Sequence, residues 1–168
     1  MDQFANSAQA SAAAWSGLAA PDAETSLRLR YPTREPAAEL VPCGREWDAV
    51  VLPLDRGLTA LDSLGLAPGD GYPVIADYTR RELVVLVPVG TGRTVEGVPD
   101  VRVLTEGAWL LVPVGDAGHC AAAWLGSPGP EGRFVDPAAL RSVLVGTEQR
   151  RTPGRGSAAA TAEALAST

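Results

Sequence analysis

The sequence predicts an α+β fold, with a mainly antiparallel sheet flanked by helices. Three observations predict it. Short apolar runs recur between turn residues, at 47–52, 73–76, 83–87, 101–104 and 109–112. The second and third of these flank the polar hinge Asp77-Tyr78-Thr79-Arg80-Arg81-Glu82, the signature of an antiparallel hairpin with a longer connection. Two further segments, 55–64 and 136–145, carry apolar residues at helical spacing and bear start and stop signals.

Taken in order, residues 2–20 are Ala-rich. Phe4, Ala8, Ala12, Trp15 and Ala19 fall on one helical face. Trp15 anchors that face, either to its own domain or to a groove on a protein partner. Pro21 ends the segment, and Asp22 is placed to cap a short helix toward Leu29. Two prolines within 31–36 read as a linker, and 39–41 as a short strand stopped by Pro42. The run 47–52 has consecutive apolar residues, which predicts a strand covered on both faces. The helix that follows places Leu58, Leu61 and Leu64 on one stripe, with Arg56 and Asp62 outward. Gly65 ends it, and 66–72 is a Gly/Pro loop.

Pro42, Pro88 and Pro113 each follow Leu-Val and stand near a glycine, a shared way of ending strands. A weak strand is expected around 122–125. Asp136-Pro137 then opens a helix with Leu140, Val143 and Leu144 inward, and Gly146 ends it. From 147 the chain is rich in Ala, Thr, Gly and Ser, and it is expected to be disordered. The organisation is therefore an N-terminal helical segment and linker (1–36), an α+β domain (37–146) and a tail (147–168).

A chain of 168 residues has room for one domain with a substantial core. With 46% hydrophobic but 5% aromatic residues, that core is built of Val, Leu and Ala. All 14 basic residues are Arg, and the net charge of −6 argues against a chain-wide nucleic-acid footprint. Cys43 and Cys120 form no Cys-x-x-Cys motif and read as free, buried thiols. The N-terminus has no basic n-region, and the run 8–20 is too short and polar to span a bilayer, so the expected location is the cytoplasm, with no membrane partner.

Candidate chemistry is sparse. Gly90-Thr91-Gly92-Arg93 has the look of a phosphate-binding turn, but the chain contains no lysine for a Walker loop and no third glycine follows, so it reads as a β-turn. His119 and Cys120 are adjacent potential ligands without a second pair, and His119 reads as a loop residue. Arg80 and Arg81, with Arg150, Arg151 and Arg155 in the tail, are the residues that a DNA contact would use. The most suggestive set is acidic: Asp55, Glu82 and Asp100 all lie at strand ends, where carboxylates can converge on one rim and hold Mg²⁺ or Mn²⁺. Arg80, Arg81 and Arg102 lie near them in sequence, so arginine pairing is favoured over a metal.

Over residues 47–144 the order of elements resembles the prim-pol domain, the N-terminal module of bifunctional DNA primase/polymerases in the archaeo-eukaryotic primase superfamily, and most closely its short actinobacterial relatives. The family's first motif is an apolar strand ending in acid-x-acid. Val50-Val51-Leu52-Pro53-Leu54-Asp55 stands in that place, with Pro53 for the first acid and Asp55 for the second. The family's small-x-His strand opening is matched by Arg80-Arg81-Glu82-Leu83-Val84-Val85, with Glu82 at the histidine position. Asp100 is similar to the later acid. The resemblance implies metal positions at Asp55 and Asp100 and a nucleotide contact at Glu82. Since proline ligates nothing and glutamate repels phosphate, it implies a catalytically degenerate domain acting as a binding or regulatory module. The alternative is residual metal-dependent nucleotide binding or nucleotidyl transfer.

Overall fold

The computed structural model describes residues 14–33, 36–115 and 118–151. After the first of three 3₁₀ turns (Trp15–Leu18, Pro68–Asp70 and Gly92–Val95), the elements are α1 (Ala23–Arg30), β1 (Ala38–Pro42), β2 (Trp47–Pro53) and α2 (Leu54–Ser63). There follow β3 (Val74–Asp77), β4 (Glu82–Pro88), β5 (Arg102–Leu104), β6 (Trp109–Pro113), β7 (Gly118–His119), β8 (Ala122–Gly126) and α3 (Pro137–Arg151). Six strands form one sheet in the order β5-β2-β4-β3-β8-β7, and β1 pairs with β6 in a separate two-stranded ribbon. Every pairing is antiparallel. The expected α+β architecture is therefore the observed one.

Alternation along the strands divides the core in two. Val50, Leu52, Leu83, Val85 and Val87 point to one face, where Leu54, Leu58 and Leu61 of α2 and Leu140 and Leu144 of α3 cover them. Ala49, Val51, Ile75, Val84 and Leu86 point to the other face, where Leu110 of the ribbon packs. Cover on both faces is why residues 48–52 are all buried, as the unbroken apolar run predicts. Gly57 lets α2 settle onto the sheet, since a Cβ there would lie 2.5 Å from Leu83 Cδ2. Gly57→Ala is expected to destabilise the domain by about 1–3 kcal/mol through overpacking, read as a lower urea midpoint at unchanged m-value.

Strand ends follow the proline rule. In the ribbon, Cys43 N–H donates to Ala108 O and Val114 N–H to Ala37 O. By the alternation of an antiparallel ladder, Ala38, Leu40 and Pro42, like Trp109, Leu111 and Pro113, turn their main-chain groups outward. A proline sits at one end of each open edge and removes a donor that a stray strand would use.

Four expectations need correction. First, Trp15 is in no partner-facing helix. It lies in a 3₁₀ turn and is fully buried in its own domain, because its indole fits over Gly126 and its Nε1–H reaches Leu66 O at 2.9 Å. The rest of the expected 2–20 helix lies outside the described residues. Leu29 of α1 is buried as well.

Second, Arg56 and Asp62 do not simply point outward: both are half-buried and tied to other elements. Asp62 accepts from the backbone N–H groups of Trp15 (2.7 Å) and Ser16 (2.9 Å), while Arg56 reaches main-chain carbonyls of Pro99 and Leu144. Third, α3 continues through Gly146 to Arg151. The Thr147 hydroxyl donates to the Val143 or Leu144 carbonyl, and Glu148 pairs with Arg56 at 3.1 Å. The expected tail thus begins as helix, and 152–168, including Arg155, lie outside the described residues. Fourth, His119 belongs to β7 rather than a loop, and Cys120 is half-buried where Cys43 is buried. Burial, helped by the Asp48 carboxylate, pushes the Cys43 thiol up.

Candidate functional site

The register places Asp55, Glu82 and Asp100 at one end of the main sheet. Pro53 of β2 faces Glu82 of β4, and Val51 faces Arg102 of β5. Asp55 lies two residues beyond Pro53, and Asp100 two residues before Arg102, so all three acids reach the same end. Their side chains do not converge. Glu82 alternates with Val84 and Leu86 onto the ribbon face, whereas Asp55 is in the first turn of α2, on the helical face.

Each of these two acids has taken an arginine, as expected from sequence. Arg81 Nη2 donates to both oxygens of Asp55, at 3.0 and 2.9 Å, and Nη1 donates to Ala19 O. Arg102 Nη2 donates to Glu82 Oε1 at 2.7 Å. Asp100 makes no side-chain hydrogen bond or ion pair among the described residues. Arg81 (φ 57°) and Asp100 (φ 59°) are the described non-glycine residues with left-handed backbone, and both stand at this end of the sheet. That conformation costs an L-residue about 1–2 kcal/mol. At Arg81 the turn is held by the Leu54 N–H bond to its carbonyl and by the Asp55 clamp.

This donor set does not fit a two-cation centre. Such a centre needs carboxylates clamped around both ions from one side. Here Pro53 offers no ligand, Asp55 and Glu82 are divided by the sheet, and both are bound to guanidinium. Among the described residues no three His, Cys, Asp or Glu side chains group closely enough to hold a metal.

The Gly90–Arg93 segment turns at Gly90 and runs into a 3₁₀ helix at Gly92–Val95 rather than being a plain β-turn, for a reason visible only in three dimensions. Asp48, 1% exposed, accepts the Gly92 N–H at 3.0 Å. The donor that a phosphate would need is already used. Asp48 was not singled out from sequence, although an acid inside a buried apolar strand is a signal that it has an internal partner.

On the ribbon face, the same end of the sheet opens into a cleft of about 480 Å³. The ribbon supplies Leu40 and Trp109, which are 65% and 61% exposed. The sheet supplies an apolar base of Val51, Ile75 and Val84 and a charged rim of Arg80, Glu82 and Arg102. Asp77 shapes the rim, since its Oδ1 accepts from Thr79 N–H, the Thr79 hydroxyl and Arg80 N–H. The Arg80 guanidinium is 3.9 Å from Asp77 Oδ2, beyond hydrogen-bond reach, and its side chain is 75% exposed. Of the residues expected to bind, Arg80 lies on this cleft, Arg81 is committed to Asp55 on the opposite face, and Trp15 is in the core. Leu40 and Trp109 were missed because their apolar runs carry no mark of exposure.

Fold and site together define an antiparallel α+β domain with a two-stranded ribbon laid over one sheet face and a cleft between them. No family model, no curated protein and no solved structure matches the chain. No described helix is long and apolar enough to cross a membrane.

Proposed function

We propose that this chain is a prim-pol-like domain whose metal chemistry has been lost and which acts as a binding or regulatory module toward a protein partner. The observation that supports this reading is the pairing of its acids: Asp55 with Arg81 on one face and Glu82 with Arg102 on the other. A guanidinium on each carboxylate supplies the countercharge that a divalent cation would otherwise bring. The pairs are exposed enough to be worth only about 0–1 kcal/mol each, so they are easily made and do not define the stability of the fold.

The test is incorporation of labelled nucleotide on primed and unprimed templates with Mg²⁺ or Mn²⁺. No incorporation above background is expected, and Asp55→Ala should leave both this result and the melting temperature almost unchanged. Incorporation that Asp55→Ala abolishes would restore the enzyme reading.

A further inference from the structure

We propose that a small pocket over Asp48 binds a primary ammonium group, the end of a lysine side chain or of a free alkylamine. The pocket stands apart from the paired acids: Trp47 faces Pro88 at its end of the β2–β4 ladder, and Pro53 faces Glu82 at the other.

Asp48, the second residue of β2, is the base of this pocket. Gly44, Val89, Gly90, Arg93, Thr105 and Glu106 line it with Asp48 around a volume of about 180 Å³. Its wall depends on a close approach of two turns. Gly44 has φ 78°, and a Cβ there would lie 2.3 Å from Glu106 N, so only glycine lets these turns meet.

The carboxylate at the base is half-used. Its Oδ2 accepts the Gly92 N–H at 3.0 Å, and its Oδ1 accepts from no described residue. Asp48 is 1% exposed, and among the described residues no fully buried side-chain oxygen lacks a partner. The sliver of Asp48 surface that remains is therefore at Oδ1, on the pocket. No described cation pairs with Asp48. A buried carboxylate with a single donor lacks the compensation that burying a charge demands.

The other lining groups indicate which donor suits it. The Thr105 hydroxyl and the Glu106 carboxylate make no hydrogen bond or ion pair among the described residues. Arg93 lies within 3.7 Å of Glu96 and is 73% exposed, so its charge is countered outside the pocket. Val89 is exposed and offers an apolar side to an alkyl stem. The space is well below the roughly 300–1,000 Å³ of drug-sized sites, so it suits a compact head. An ammonium brings three N–H donors on one atom, whereas a guanidinium is a broad planar fork. A metal finds too few ligating side chains here. The chain has no lysine of its own to fill the place, and its charge of −6 draws cations.

The experiment is ¹H–¹⁵N NMR of the full chain, read at the Gly92 N–H that shares Asp48. The probes are n-butylammonium, end-capped Gly-Lys-Gly and end-capped Gly-norleucine-Gly, which keeps the alkyl chain without the charge. A saturable Gly92 shift is expected with both ammonium probes and none with norleucine. Asp48→Asn leaves an oxygen for Gly92 and removes the charge, and Glu106→Gln alters an exposed side chain. Asp48→Asn should weaken binding about tenfold or more and Glu106→Gln about threefold, with folding checked by thermal melts. No saturable shift with either ammonium, an equal response to norleucine, or affinity unchanged in Asp48→Asn would overturn the proposal. Should Asp48→Asn not fold, unchanged affinity in Glu106→Gln overturns it instead. Tighter binding of Gly-Lys-Gly than of n-butylammonium assigns the site to a protein partner, and the reverse to a free amine; both support it. Nucleotide incorporation concerns the other end of the sheet, so this proposal and the reading above can fail independently.

Discussion

Trp15→Ala is expected to lower the unfolding free energy by about 3–5 kcal/mol, the range for removing a buried large aromatic. The indole is fully buried and packs in the helical-face core. It lies so close over Gly126 that a Cβ there would come 2.8 Å from the ring. Its Nε1–H satisfies Leu66 O, which the truncation would leave without that donor. Urea denaturation followed by circular dichroism gives the number, and a change below about 1 kcal/mol would mean that the N-terminal segment is not part of the cooperative unit.

The attachment also has a pH signature. Partial burial works against ionisation of Asp62, but the hydroxyl and N–H of Ser16 and the N–H of Trp15 outweigh it and hold the carboxyl below its ordinary value. A lowered folded-state pKa contributes stability that is present above the unfolded value of about 4 and is lost as pH falls through the folded one. Asp62→Asn should therefore reduce the fall in stability on acidification below about pH 4, with little effect on the slope near neutrality.

Arg56→Ala should cost about 2–3 kcal/mol, well above the loss of an exposed ion pair. Only 9% of this side chain is exposed. It joins α2 to the loop before β5 through Pro99 O, and to α3 through Leu144 O and Glu148. Removing it strips a charged donor from two carbonyls and leaves Glu148 without this cation. Arg56→Lys should recover less than half of the loss, because one ammonium cannot span partners on two elements as the guanidinium fork does. Thermal melts of the two variants check both statements, and full rescue by lysine would show that charge, rather than the fork, holds the helices together.

Much of the architecture was legible from local pattern. Asp22 caps α1 through Thr25 N–H, and Asp136 caps α3 through Ala138 N–H, as their positions before helical runs predict. The 73–87 hairpin, the two-faced burial of β2 and the proline-ended strands follow from sequence alone, because alternation and turn chemistry act over a few residues. The choice of arginine partners for the acids was also legible in kind. Misread were Gly146, which helical packing and the Thr147 back-bond carry into α3, and Arg56, whose charge suggests solvent until its partners are known.

What the sequence by itself determined is most of the helices and strands, the caps of α1 and α3 and the apolar side of the main-sheet strands. What only the tertiary structure decided is which residues meet. Asp55 and Glu82 reach the same sheet end, yet the chain leaves β2 for α2 at Leu54 and carries Asp55 to the helical face while Glu82 stays on the ribbon face, so a single acidic rim never forms. Arg102 finds Glu82 because β5 and β4 both border β2, although twenty positions separate them. Trp15 and Trp109 have the same side chain, but one is fully buried against Gly126 and the other stands 61% exposed beside a cleft. Periodicity reports that a residue has an apolar side; whether anything covers that side depends on elements brought there by sheet register and by ribbon placement, which are non-local.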